Sequence, residues 1–198
     1  FATAGEGLAL NFTVVTEPNR TTRFGVVNDT VWSKDLLMDY ESNFQIWIDD
    51  PSENKSFNFG IQNITSTQVC INPANQTYRA EAHVQYISPT FDTRDYFLRN
   101  ATLNNDTDFI DLFLLEIALA DDIKFSLDGI SGNPLEDHIL EIQRQEVANN
   151  TFTTVAMGKT DSAGETVTFL RKNDAWYRFN VIDLFGKQEL AEKKLESA

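Results

Sequence analysis

The chain has 198 residues and a formal net charge of −14, from 16 basic and 30 acidic side chains. That balance excludes the basic stripe that phosphate binding needs, so no nucleic acid is expected as a partner, and an anionic membrane surface is disfavoured for the same reason. An apolar fraction of 41%, with 15 Phe, supplies a core for one large or two small domains.

The first strong element is "GLALNFTVV", in which Leu8, Leu10, Phe12 and Val14 alternate with Ala9, Asn11 and Thr13. A period of two predicts a strand with one apolar face. It follows the small-residue stretch "ATAGEG", so it is a candidate for completing the sheet of a neighbouring copy, with pairing inside its own domain as the alternative. "WSKDLLMDYES", residues 32–42, reads as a short helix. "NFQIWID" sets Phe44, Ile46 and Ile48 against Trp47, and "SFNFGIQNIT" alternates Phe57, Phe59 and Ile61. "YRAEAHVQYI" sets Ala80, Ala82, Val84 and Tyr86 against Arg79, Glu81, His83 and Gln85, and "DYFLRNATL" continues the pattern. The turn signals "EPNR", "DDPSEN", "NPAN", "SPTFD" and "NNDTD" separate these runs. Residues 109–119, "FIDLFLLEIAL", read as a strand buried on both faces, with a buried helix as the alternative. The same region is the longest apolar run, and Asp111 and Glu116 break it well short of the ~20 residues a bilayer span needs. The tail "GKQELAEKKLESA" suits a helix or a last strand. The opening "FATAGEGLAL" lacks the basic and long apolar regions of a signal peptide.

Short strands at this spacing predict an all-β fold with at most short helices. A boundary near Asp121-Asp122 divides it into two antiparallel β-sandwich domains, residues 1–120 and 121–198.

The second of these carries a recognisable order of motifs. A strand is followed by Gly132, Pro134 and Leu135, then by Thr160-Asp161-Ser162-Ala163-Gly164, then by Tyr177 and Val181. Over residues 122–186 this resembles a carboxypeptidase regulatory-like domain. The resemblance implies a non-catalytic, transthyretin-like or Ig-like sandwich used for scaffolding or interaction. "EDHILEIQRQ" is more polar than the corresponding strand of that family, and "RKNDA" lacks the usual glycine before the tyrosine. The residues support the same reading by themselves, because an Asp-to-Gly turn and alternation of Tyr177, Phe179 and Val181 against Trp176, Arg178 and Asn180 specify a hairpin and a strand.

Little in the chain suggests chemistry. The one cysteine, Cys70, cannot form an intrachain disulfide and reads as a small buried hydrophobe. The two histidines, His83 and His138, lie in strand-like segments and read as surface residues, without a nucleophile elbow. One cysteine and two separate histidines give no zinc set. Asp106, Asp108 and Asp111, with the pairs Asp49-Asp50 and Asp121-Asp122, offer oxygen ligands but no calcium-loop spacing. No catalytic residue, metal or cofactor is expected.

The glycosylation signal is stronger. Asn-x-Ser/Thr triplets occur at Asn11, Asn19, Asn28, Asn54, Asn63, Asn75, Asn100, Asn105 and Asn149, nine of 17 asparagines, where chance would give about 2.5. Turn chemistry inflates such counts, since Asn and Thr both favour turns and strand ends. Eight of the nine precede residue 106, and each modified Asn must face solvent. Asn100 and Asn105 are expected to flank an exposed turn. The expected protein is non-enzymatic, extracellular or on a cell surface, N-glycosylated, and self-assembling into a filament or layer. Dense sequons without disulfides suit an archaeal surface. An adhesin or receptor-binding ectodomain is the alternative.

Overall fold

Period-two patterning becomes strand along most of the chain. The computed structural model describes residues 8–16, 22–25, 39–52, 55–64, 66–71, 76–88, 91–103, 110–146, 148, 150–173, 175–183 and 186–194. The strands are β1 (Leu8–Thr16), β2 (Thr22–Gly25), β3 (Asp39–Ile48), β4 (Ser56–Gln62), β5 (Ser66–Ile71), β6 (Tyr78–Ser88) and β7 (Phe91–Leu103). They continue as β8 (Ile110–Leu112), β9 (Asp121–Ser126), β10 (Ile139–Glu146), β11 (Thr151–Lys159), β12 (Glu165–Leu170), β13 (Trp176–Asp183) and β14 (Gly186–Lys194). The fold is all-β, with a single three-residue 3-10 turn, Ile117–Leu119, among the described residues.

Among the described residues every pairing is antiparallel, in three sheets ordered β5-β1-β2-β8, β14-β13-β10-β11-β7-β6-β3-β4 and β12-β9. β3 shows why register is fixed: Tyr40, Ser42, Phe44, Ile46 and Ile48 are buried, while Asp39, Glu41, Asn43 and Gln45 are exposed. A one-residue slip would turn the apolar set to water at roughly 1.5–3 kcal/mol per large side chain. Leu112 of β8 shares a buried core cluster with Phe44 and Val84, and Ile71 of β5 shares one with Ile46 and Tyr78. A further core lies between β10, β11 and β13 on one side and Ile123, Phe125, Leu127, Leu135 and Leu170 on the other.

The eight-stranded sheet is joined where Met157 of β11 pairs with Asp95 of β7. Arg94 crosses this join. It is 4% exposed, donates to the Val155 carbonyl and to the Phe169 carbonyl at 2.5 Å, and lies 5.6 Å from the Phe113 ring centroid. Tyr86 donates to the Phe113 carbonyl at 3.0 Å.

The apolar run 109–119 departs from expectation. Only Ile110–Leu112 is strand, and Ile117 and Leu119 are exposed. The run serves several neighbours instead of one strand: Leu112 and Leu114 join the core beside β3 and β6, while Phe113 joins the core beneath β10. Leu112 and Leu114 against Phe113 is the alternation that extended backbone gives, but ladder pairing stops at Leu112 and a 3-10 turn follows at Ile117–Leu119. Of the segment 32–42, residues 39–42 are strand, and 32–38 lie outside the described residues. The tail 186–194 is strand β14, paired with β13. β1 pairs on both sides within its own chain, with β2 and β5.

The turn after β11 rests on its sequence. Asp161 Oδ1 accepts from the Ala163 and Glu165 amides at 2.9 Å each, which holds its carboxyl below the usual aspartate range, Glu165 contributing most. Gly164 has φ +72°, and a Cβ there would meet the Leu127 carbonyl oxygen at 2.5 Å. Tyr177 Oη donates to the Arg171 carbonyl at 2.8 Å, tying β13 to its preceding turn.

Candidate binding groove

An open groove of about 730 Å³ lies across β3, β4, β6 and β7, lined by their polar outward positions together with Phe59, Ala82, Phe97, Leu98 and Ile139. Register brings its residues together. One rung runs Gly60, Asn43, His83, Phe97 across the four strands, and the next runs Asn58, Gln45, Glu81. At Glu81 the pairing slips, because Ala80 faces Ala101 while Ala82 faces Leu98. β7 therefore holds two residues, Arg99 and Asn100, opposite one, and Asn100 takes φ 49°. Asn tolerates this left-handed conformation better than most residues.

The bulge sets Arg99 at the far wall. Its side chain donates to the Asp137 carbonyl at 2.7 Å and to Asp137 Oδ2 at 3.1 Å, while Lys159 pairs with Asp137 Oδ1. Those cations, Lys159 first, hold the Asp137 carboxyl below the ordinary aspartate range. The His83 ring stacks on Phe97 with centroids 4.5 Å apart and planes 6° apart, and its Nε2 lies 2.7 Å from Asp95 Oδ1. His83 is thus a half-buried, oriented ring and not a free surface side chain. The side chains of Asn43, Gln45, Asn58 and Glu81 make no hydrogen bond among the described residues. Gly60 leaves the β4 end of its rung without a side chain, and a Cβ added there would lie 3.3 Å from Asn43 Oδ1.

Other sites from the sequence are placed as follows. Asn63 follows β4 with φ 48° and is exposed, and its Oδ1 accepts from the Tyr40 amide at 2.7 Å. Asn100 is half-buried in the bulge, and Arg79 donates to its Oδ1 at 3.3 Å. Asn11 lies in β1, opposite Gln68 of β5. Asn19, Asn28, Asn54, Asn75, Asn105 and Asn149 lie outside the described residues. So do Asp106 and Asp108, while Asp49 pairs with Arg79 and Asp121 with Lys172. No group of three or more metal-ligating side chains gathers among the described residues. His138 Nδ1 lies 2.7 Å from the Glu136 carbonyl. Sequence reading found the outward face through His83, Glu81 and their neighbours. It missed Phe97, Arg99, Lys159 and Gly60, which only register and the bulge bring to the groove.

These features define an all-β chain of antiparallel sheets, with a groove on the eight-stranded sheet that is lined by both polar and apolar side chains. Among the described residues no helix is long and apolar enough to cross a membrane. No family model matches the sequence, and no curated protein matches it.

Proposed function

We propose that this chain is a non-enzymatic, N-glycosylated structural protein of an extracellular or cell-surface assembly, with two β-sandwich domains, residues 1–120 and 121–198. The second is proposed to be carboxypeptidase regulatory-like. The observation that carries the reading is the nine acceptor triplets among 17 asparagines. Dense sequons beside a lone cysteine suit an archaeal surface, and without an intrachain disulfide the fold rests on its packed core. Self-association into a filament is supported by β4, the last strand of the eight-stranded sheet, none of whose seven residues is charged. Natural edge strands are usually blunted by charge or proline, so an uncharged edge invites pairing. The groove favours a second reading, an adhesin-type binding module.

Intact mass before and after glycan removal tests the first claim. A native mass equal to that of the bare polypeptide would sink it. Assembly by exchange of β1 has its own test. Ala9 of β1 faces Cys70 of β5, and directly opposed antiparallel residues are close enough to bridge. Ala9→Cys, oxidised in assembled material, is expected to give a ladder of covalent multimers. Bridged monomers alone would rule exchange out.

A further inference from the structure

We propose that the groove across β4, β3, β6 and β7 is a binding site for a neutral oligosaccharide. The case is independent of how, or whether, the chain assembles.

The first observation is unused hydrogen-bonding capacity. Asn43, Gln45, Asn58 and Glu81 converge on adjacent rungs, and none of their side chains makes a hydrogen bond among the described residues. Each amide presents a donor pair and an acceptor side by side, and a carboxylate presents two acceptors. Neighbouring sugar hydroxyls, which each donate and accept, match that planar two-point pattern. The second observation is the ring platform. Stacking on Phe97 and the contact to Asp95 hold the His83 ring at a fixed angle. A ring held this way offers a rigid flat surface to the C–H face of a pyranose, at little entropic cost. The third is space. Gly60 lacks a side chain at the position where its rung meets β4, and the groove volume of about 730 Å³ suits a short oligomer better than one sugar.

Charge selects among ligands. The chain as a whole carries −14, yet the charges at the groove offset one another. Glu81 stands against Arg99 and Lys159, and Asp137 is already engaged by both cations. An anionic ligand would meet Glu81 at the centre, and a cationic one would meet Arg99 and Lys159 at the wall. A wholly apolar ligand would suit Phe59, Phe97 and Leu98 but would strip water from four polar side chains and return no hydrogen bonds, whereas a sugar offers C–H faces to the former and hydroxyls to the latter. An uncharged polyhydroxyl ligand satisfies them all.

Affinity electrophoresis of the purified full chain in gels containing mannan, xylan, chitin oligomers or hydroxyethyl cellulose reads the site directly. Retardation in at least one gel is expected. Gly60→Phe fills the open end of the groove, and Asn43→Ala with Gln45→Ala removes two hydrogen-bonding groups. Each is expected to weaken retardation about tenfold or more. Thermal melts identify any variant that has lost its fold, and Asn58→Ala, exposed on the last strand of the sheet, supplies a variant that leaves the core intact. No retardation of the wild type in any gel overturns the proposal, as does equal retardation of wild type and folded variants. Loss of self-association in Gly60→Phe, with sugar binding unchanged, would assign the groove to a second copy of the chain instead.

Discussion

A single rung of the eight-stranded sheet runs from Glu41 through Gln85, Asp95 and Met157 to Glu141 and Asn180. Its two ends share one face and one backbone geometry, yet their polar groups live differently. At the β3 and β6 end, Glu41 and Gln85 are exposed, and the side chains of the neighbouring Asn43 and Gln45 are exposed without partners among the described residues. At the β10 and β13 end, Glu141 is 6% and Asn180 2% exposed. There Glu141 Oε2 accepts from Asn180 Nδ2 at 2.8 Å, and Oε1 accepts from Thr154 Oγ1 at 2.7 Å and Gln143 Nε2 at 3.3 Å. Polar groups buried together must satisfy one another, whereas exposed ones keep their capacity for something else. One half of the face is therefore suited to holding the fold and the other to holding a ligand.

The largest expected effect tests that contrast directly. Glu141→Leu leaves the Asn180 amide and the Thr154 hydroxyl without their acceptor, and is expected to cost about 3 kcal/mol, near 10 °C in Tm. Asn43→Ala and Gln45→Ala remove the same kind of groups from the same sheet and should each shift stability by less than about 0.5 kcal/mol. Chemical denaturation of the three variants decides the matter. Comparable losses for Glu141 and Asn43 would erase the distinction between the two halves.

The two glycines of these regions sharpen the contrast at the level of backbone. Gly164 combines φ +72° with a backbone oxygen 2.5 Å from where a Cβ would sit, so Gly164→Ala should cost about 2 kcal/mol. Gly60 meets only the flexible Asn43 side chain at 3.3 Å and the Ser42 carbonyl at 3.5 Å. Gly60→Ala should leave Tm within about 2 °C, because the neighbouring side chain can move. Differential scanning calorimetry of both reads the difference. A large loss at Gly60 would mean that the groove is packed and not open.

Alternation made β3, β4 and β6 legible in the sequence, since one dry and one wet face write the period of two directly. It also placed Asn43-type positions outward without naming a site. β10 was harder to read, because Ile139, Leu140, Glu141 and Ile142 are buried in succession. A strand covered on both faces loses its period. The apolar run 109–119 misled for a related reason, as hydrophobicity reports burial and not the shape of the backbone that delivers it. Phe97, Arg99 and Lys159 could not be assigned to a groove, because a bulge at Arg99 and Asn100 and the join of β7 to β11 put them there. Both are properties of pairing between distant segments. The left-handed conformations of Asn63 and Asn100 add a lesson about the triplets: an asparagine in such a position also serves the backbone through its φ angle, so a triplet there has turn chemistry as a second reason to exist.

The smallest expected effects concern protons, and they oppose one another across the join. Asp92, the second residue of β7, has its Oδ2 buried without a partner among the described residues, and desolvation raises its carboxyl above the ordinary aspartate value, against the pull of Arg94. The folded chain then keeps that proton to higher pH than the unfolded chain does. Stability from this group falls as pH rises from the ordinary aspartate value through the folded one. Asp137 is the reverse case, depressed by Lys159 and Arg99, so its contribution is present above the ordinary value and disappears as pH falls through the folded value. Asp137 is largely exposed, and solvent screens its ion pairs to a modest effect. Melting Asp92→Asn and Asp137→Asn beside the wild type from pH 7 down to pH 3 separates the two, because the variants should deviate in opposite directions at neutral pH and converge on the wild type in acid. Asp92→Asn should melt higher than the wild type at pH 7, and Asp137→Asn lower. If both melt lower by a margin independent of pH, the carboxylates contribute packing and hydrogen bonds alone, and the satisfied and unsatisfied sides of the sheet do not differ in their electrostatics.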